Sequence, residues 1–580
     1  MSASLSPASG VSAWRLAVVG TVAALAVGIG VAAGSFVLAN RTVAVGDGAG
    51  YVPATAPFYF EMRLEPSTDQ DAALRELVGR FPPIEGVDVA RPLYEQLTGR
   101  LDEALSDGEI DASWSRDVAP WFDGRVGVAV LDLPVEAIAM DPMTEPQAPS
   151  MVGLVGVSDA DAAAASIERL LATADEPPTF TDQTHAGVTI RVSADDGAYA
   201  LTDDQLLIAP TAKDIVTALD AHESGSTTLS EVAEITRLTD ALPTDWLAFG
   251  VYDMSDLMSA SLSEAAGAPA GVAEAFSSLL EHQPMRGAFA VTAAGDRISM
   301  ESVSEPPTGP FAVENADRGL AAEVPADSLY YADGGNLGAA LAAFIGPMKE
   351  AAATQPEAAE QLEMMEAALG ADLEELVSWI GDAALTIGWD GSQPYGGMVL
   401  VPTDVGEAQR RLDQLATFAE LAAMDATAGI TVETDDVGGT EVTTIRWADP
   451  NAAVDPMLGE AMSFVVQYAV TDDRALVGMG ETFVSRALEL GPEEALASDP
   501  RFTESVDELG GPSNTGVAWM DLAGTREALE AALGPMLGMM DPSGTYESEV
   551  RDWLLPLDQI VAVTRHEGDL WVQRFALLVE

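Results

Sequence analysis

The chain has 580 residues, no cysteine, and 93 acidic against 27 basic side chains, a formal charge of −66. That charge repels a phosphate backbone, so no nucleic-acid partner is expected, and the missing thiols exclude disulfides and Cys-ligated metals. With 48% hydrophobic residues and a mean hydropathy of +0.14, the chain has enough apolar surface for a core.

Residues 1–15 read as a cytoplasmic tail. Leu16–Leu38 follows with no charged side chain; its 23 residues reach about 34 Å as a helix, enough for a hydrocarbon core of about 30 Å. Trp14 and Arg15 precede it as interfacial aromatic and cytoplasmic-side charge, while Arg41 beyond it weakens the asymmetry. The reading is an uncleaved transmembrane helix at 16–38, partnered by the lipid bilayer, in a single-pass cell-membrane protein with its C-terminal part extracytoplasmic. A signal peptide cleaved near Val37-Leu38-Ala39 competes with it, although such peptides have apolar regions of only about 7–15 residues. Residues 39–50 read as a linker. A cysteine-free exported chain suits a bacterial envelope. Lysine occurs only at Lys213 and Lys349, a pattern that fits a high-GC genome or a salty habitat. The acid excess reads as a solvated, self-repelling surface, with a cation-facing surface as the alternative.

From residue 51 the elements alternate. Phe58–Leu64 reads as a strand, Ala72–Val78 and Leu93–Leu105 as helices, Arg125–Leu131 and Val152–Val157 as strands, and Ala160–Ala172 as an Ala-rich helix. Val188–Val192, Tyr199–Thr202 and Leu206–Ala209 read as a meander with an Asp195-Asp196-Gly197 turn. Helices around Ala212–Ala221 and Val232–Leu242 lead to the strand Trp246–Tyr252. Helices through Leu280 and a hairpin, Ala288–Thr292 with Arg297–Val303, close the half.

Much of this is then written again. Val52-Pro53-Ala54 matches Val324-Pro325-Ala326, Trp121 matches Trp379, Ala200–Asp204 matches Ala469–Asp473, Asp253 matches Asp521, and Ala290-Val291-Thr292 matches Ala562-Val563-Thr564. The separations of 272, 258, 269, 268 and 272 residues keep one order, which points to a duplication. Pro and Gly cluster at Glu305–Pro310, placing a first repeat at 51–303, a linker at 304–323 and a second repeat at 324–580. In the second, Thr354 and Pro356 start a helix over Glu357–Leu369 that Gly370 ends. The expected fold class is α+β: an N-terminal transmembrane helix followed by two tandem homologous repeats, with mainly antiparallel sheets and helices packed on them.

The N-terminal span, the Val52-Pro53-Ala54…Phe58 opening with Leu64 after it, the Trp121…Gly124…Val128 block and the second Val324-Pro325-Ala326 start resemble a bacterial family, domain of unknown function 3352. The resemblance covers nearly all of residues 51–580. It implies an anchored extracytoplasmic protein without assigned activity, and it carries over no catalytic or binding residue.

Chemistry-bearing patterns are few. Thr202-Asp203-Asp204 and Thr471-Asp472-Asp473 are paired carboxylates, a type able to do acid/base work, but their place between short apolar strands reads as turn geometry. His185, His222, His282 and His566 stand singly, without metal-ligand spacing. Asp541-Pro542-Ser543-Gly544 lacks the ligands of a calcium loop, and Gly334-Gly335 opens no phosphate-binding helix. No nucleophile elbow occurs. Methionines cluster at Met254/Met258, Met364/Met365 and Met536/Met539/Met540, which reads as core filling or as an adaptable apolar pocket. No catalytic, cofactor-binding or metal-ligating residue is assigned, and no cofactor is expected. The function read from this is non-catalytic binding or scaffolding of an envelope component, a protein or an apolar ligand. One alternative is a carrier or sensor of a lipid or other apolar ligand in a Met-lined pocket; the other is a hydrolase with an unrecognised carboxylate site.

Overall fold

Alternating apolar and polar side chains make the short strands of this chain, and the turns between them set which strands pair. The computed structural model describes residues 47–84, 86–106, 112–132, 149–173, 179–193, 197–223, 227–255, 280–353, 355–424, 429–448, 463–541 and 544–580. The chain divides into two compact units, Met1–Met258 with Met285–Val303 and Ser259–Pro284 with Ser304–Glu580.

In the first unit the strands are β1 (Phe58–Arg63), β2 (Phe122–Asp132), β3 (Ser150–Val157), β4 (Phe180–His185), β5 (Val188–Ser193), β6 (Ala198–Leu201), β7 (Gln205–Ala209), β8 (Ala248–Asp253), β9 (Arg286–Ala294) and β10 (Arg297–Ser304). They pair in the spatial order β10-β9-β8-β1-β2-β3-β7-β6-β5-β4. Two helices lie beside the β5-β6-β7 meander, α1 (Ala160–Thr173) and α2 (Ala212–Glu223). Asp159 starts α1 by accepting the Ala162 N–H at 2.9 Å, and Thr211 starts α2 by accepting the Asp214 N–H at 3.3 Å. Trp114, Trp121, Phe122, Ile167 and Tyr199 meet in one core cluster, and the Trp121 indole donates to the Asp117 carbonyl at 2.6 Å.

The second unit holds β11 (Ser328–Gly334), β12 (Ile380–Trp389), β13 (Pro394–Pro402), β14 (Ile430–Val437), β15 (Thr440–Ala448), β16 (Ser463–Val470), β17 (Ala475–Met479), β18 (Gly516–Asp521), β19 (Leu557–Glu567) and β20 (Leu570–Val579). Its order, β20-β19-β18-β11-β12-β13-β17-β16-β15-β14, is that of the first unit counted ten strands later. The helix α3 (Val405–Ala423) buries Ala408, Leu412 and Ala419 in a cluster with Trp379, Leu400, Ile445 and Tyr468. The helix α4 (Leu522–Met540) follows β18 directly and precedes a π-turn, Tyr546–Val550, which runs into the short α5 (Arg551–Leu554). Tyr331, Phe502 and Trp519 stack edge to face in the other cluster of this unit, with ring centroids 5.4 and 5.8 Å apart.

The expected architecture, a transmembrane helix and then two tandem α+β repeats, is corrected at the helix by the described residues. They make 20 strands of mostly antiparallel sheet with helices, and no described helix is long and apolar enough to cross a membrane. The physical reason is visible in the longest helices. Glu407, Arg410, Arg411 and Asp413 interrupt α3, and Arg526, Glu527 and Glu530 interrupt α4; such charges are costly in hydrocarbon. Residues 16–38 themselves lie outside the described residues, as do Thr354 and Met258.

Candidate functional site

The β6–β7 hairpin turns back tightly beside the helix α2 that packs against the meander. At the β6–β7 turn Thr202 closes the loop: its N–H donates to the Gln205 carbonyl at 2.9 Å, and its Oγ1 accepts the Gln205 N–H at 3.0 Å. Thr471 does the same with Arg474 at 2.8 and 3.1 Å. Both Thr-Asp-Asp sequences are therefore turns, formed by local hydrogen bonding that these residues favour.

The first of them opens onto a cleft. A cavity of about 740 Å³ lies between α1, α2 and the meander, lined by Tyr51, Arg191, Tyr199, Asp203, Asp204 and His222 among others. Tyr51 reaches it from a 3-10 turn, Asp47–Tyr51, that is pinned from behind. The Val52 carbonyl accepts the Leu229 N–H at 2.8 Å, and Pro53 forms a bridge with Thr228. Held there, Tyr51 stacks on His222 with ring centroids 4.0 Å apart and planes 6° from parallel. Its Oη donates to Asp204 Oδ1 at 2.5 Å and lies 3.0 Å from Thr202 Oγ1. Burial, and then the hydrogen bond to Asp204, push the Tyr51 phenol well above its ordinary pKa, so it keeps its proton and acts as a donor.

Across the cleft Arg191 donates to Tyr199 Oη at 3.0 Å and to Glu168 Oε1 at 3.2 Å, and it lies 3.9 Å from Asp182. The bond to Tyr199 is the leading cause that raises the pKa of Arg191, and burial raises that of Tyr199 against the pull of the guanidinium. Charge is lopsided at the walls. Glu168, Asp182, Asp203, Asp204 and Glu223 face one guanidinium, and the Glu168 and Asp182 side chains are about two-thirds exposed. This arrangement can attract and hold a positively charged group; the two phenols, both protonated, offer no base.

Sequence reasoning named Asp203 and Asp204 as paired carboxylates but read them as turn geometry, and named His222 only as a lone histidine. It missed Tyr51, Glu168, Asp182, Arg191 and Glu223, because nothing local signals a contact between residues 51 and 222. The remaining histidines stay apart. His185 sits 2.6 Å from Asp220, His282 2.9 Å from Thr308 Oγ1, and His566 2.8 Å from the Val313 carbonyl. Among the described residues no group of three or more His, Cys, Asp or Glu side chains could hold a metal ion. Met364 and Met365 are exposed, and the side chains of Met536, Met539 and Met540 lie outside what is described.

The pattern of one protein family, described as a protein of unknown function (DUF3352), matches residues 17–579. The chain belongs to the DUF3352 family. No curated protein and no solved structure matches this DUF3352 chain. Its function must therefore be sought in the chemistry of the cleft.

Proposed function

We propose that this DUF3352 protein works without catalysis, binding or scaffolding a cationic component of the cell envelope through the acidic cleft of its first unit. The observation that carries the reading is the balance at the walls, five carboxylates against Arg191, in a cavity large enough for a small ligand or a few peptide residues. Long-range attraction would draw a polyamine or a basic peptide in, and the exposed His222 ring, backed by the buried Tyr51, would give its aliphatic stem an aromatic wall. An extracytoplasmic site of action goes with this reading, since a cysteine-free chain of this length loses nothing in an oxidising compartment.

Calorimetric titration of the full chain with spermine and with a lysine-rich peptide tests it. One-to-one binding that weakens as salt is raised is expected, together with a loss of affinity in the double variant Asp182→Asn/Asp203→Asn. Asp472→Asn, in the corresponding turn of the second unit, should leave binding unchanged. Binding that ignores the cleft substitutions, or no binding at all, defeats the proposal.

A further inference from the structure

Between β11 and β12 the chain forms the helices Leu337–Ala353, Pro356–Leu369 and Leu373–Val377. The first carries no charged side chain from Leu337 to Met348, yet Gly338 is its only fully buried residue. A helix so apolar is normally covered on every side. Here Leu337, Leu341 and Ile345 are half-buried, Phe344 is exposed and Met348 is 62% exposed. The helix Pro356–Leu369 packs against it and against α3, and none of its described side chains is fully buried. Met364 and Met365 are exposed on it, as are Phe418 and Leu421 on α3. Lys349 joins the first two helices through Glu366 at 2.9 Å, and Arg411 joins α3 to Leu373–Val377 through Glu375 at 3.0 Å. Phe418, seven residues beyond Arg411, lies on the face of α3 that this ion pair turns toward the layer.

The fold does not demand this surface. In the first unit the connection between the corresponding strands, β1 and β2, holds the helices Thr68–Val78 and Leu93–Ser106. Charged and polar residues recur through both, and among their described residues Leu97 is the only large apolar side chain that is exposed. Polar helices therefore serve at the same place in the same strand order. The second unit instead keeps large apolar side chains in water on three neighbouring helices, which scattered surface residues do not account for. Methionine in particular suits a docking surface, because its flexible thioether adapts to the partner.

Charge selects the occupant. The three helices and α3 carry ten acids and three bases. All three bases are already paired locally, Lys349 with Glu366 and Asp372, Arg410 with Glu407, and Arg411 with Glu407 and Glu375. Glu357, Glu360 and Glu363 of the second helix are exposed. A second copy of this chain or an anionic bilayer would bring like charge to that rim and be repelled, whereas a cationic partner is drawn in. We propose that the layer docks a basic amphipathic helix of a partner protein. Its apolar stripe would lie on Phe344, Met348, Met364, Met365, Phe418 and Leu421, and its lysines or arginines on the glutamates of Pro356–Leu369. Burial of the stripe resists salt, while attraction at the rim weakens with it. The site is independent of the acidic cleft, and either can fail without the other.

The test is calorimetric titration, with circular dichroism, of the full chain carrying Asp182→Asn/Asp203→Asn, so that a basic peptide is not taken up by the cleft. The probe is a leucine–lysine peptide of about 18 residues whose leucines share one helical face. One-to-one binding with a gain of helical signal is expected. Reordering the same residues so that the leucines scatter should weaken binding roughly tenfold or more, and glutamate in place of lysine should abolish it. Met348→Ser, Met365→Ser and Phe418→Ser, at exposed positions where folding is not at stake, should each weaken it roughly threefold or more. Glu360→Lys/Glu363→Lys should weaken it about tenfold and flatten its salt dependence. Equal binding of the scattered peptide, binding that survives the surface substitutions, or no binding overturns the proposal. So does a free chain that sediments as a dimer, or floats with neutral vesicles, until Met348→Ser/Met365→Ser is introduced, since the face then belongs to a second copy or to lipid.

Discussion

Asp117 shows how this chain handles a charge it cannot expose. Its side chain is 1% exposed, yet it accepts from Arg116 Nη2 at 2.9 Å, from the Ser113 N–H at 2.8 Å and from Arg169 Nε at 3.0 Å. Burial pushes the pKa up, but the hydrogen bonds from Arg116, Ser113 and Arg169 together outweigh it and hold the carboxyl below its usual range. A folded-state pKa below the unfolded value of about 3.9 means stabilisation that is complete above that pH and is lost as pH falls through the folded-state value. Asp117→Asn should therefore cost roughly 2 kcal/mol at pH 7 in urea unfolding. The gap between variant and parent should close on acidification below about pH 4. A gap that stays constant with pH would mean the charge is irrelevant. Single residues of this sort were hard to read in advance: Asp117 sits in a short stretch, Trp114–Asp117, whose partner Arg169 lies on another element.

At the scale of elements, strands with apolar alternation were legible and polar ones were not. Val188–Val192 and Arg297–Val303 stand out in the sequence because apolar residues recur, and both are strands in the fold. Phe180–His185 is a strand as well, but its Thr-Asp-Gln-Thr interior has no apolar signal, and four of its six residues are exposed. Its pairing is imposed by the two-residue turn Ala186-Gly187, where both residues have positive φ, 48° and 82°. That is the pattern of a hairpin turn that Asn-Gly fits better than Ala-Gly. Ala186→Asn should raise stability by about 0.5–1 kcal/mol, read as a higher urea midpoint with an unchanged slope. A lower midpoint would show that the turn is not limiting. The cleft was illegible for a related reason. The turn carrying Asp203 and Asp204 follows from local chemistry, whereas Tyr51 is brought to His222 of α2 by a bridge between Pro53 and Thr228 that no local pattern announces.

For the whole molecule the governing quantity is charge. With 93 acids against 27 bases, most carboxylates have no cationic partner to be paired with, and their mutual repulsion opposes compaction. Added salt shortens the reach of that repulsion, from a Debye length of about 10 Å at 0.1 M to about 3 Å at 1 M. The melting temperature should accordingly rise as sodium chloride is increased over this range. A fall or a flat profile in differential scanning fluorimetry would show that ion pairs such as those of Asp117 outweigh the general repulsion. Salt should then act in opposite senses on the two properties, strengthening the fold while weakening capture of a cation by the acidic cleft.

The way Tyr51 is fixed has a mechanical consequence. The wall it forms is attached to the rest of its unit through the Tyr51 bond to Asp204, the Gly50 carbonyl 3.2 Å from His222 Nδ1, the Val52 carbonyl, the Pro53–Thr228 bridge and an Ala54 N–H bond to the Thr227 carbonyl at 3.1 Å. A pull transmitted along the preceding chain loads those few bonds before it reaches β1. Tension would therefore peel Tyr51 from His222 and unmake one side of the cleft while the strands stayed paired, so that the grip on a ligand becomes a function of force.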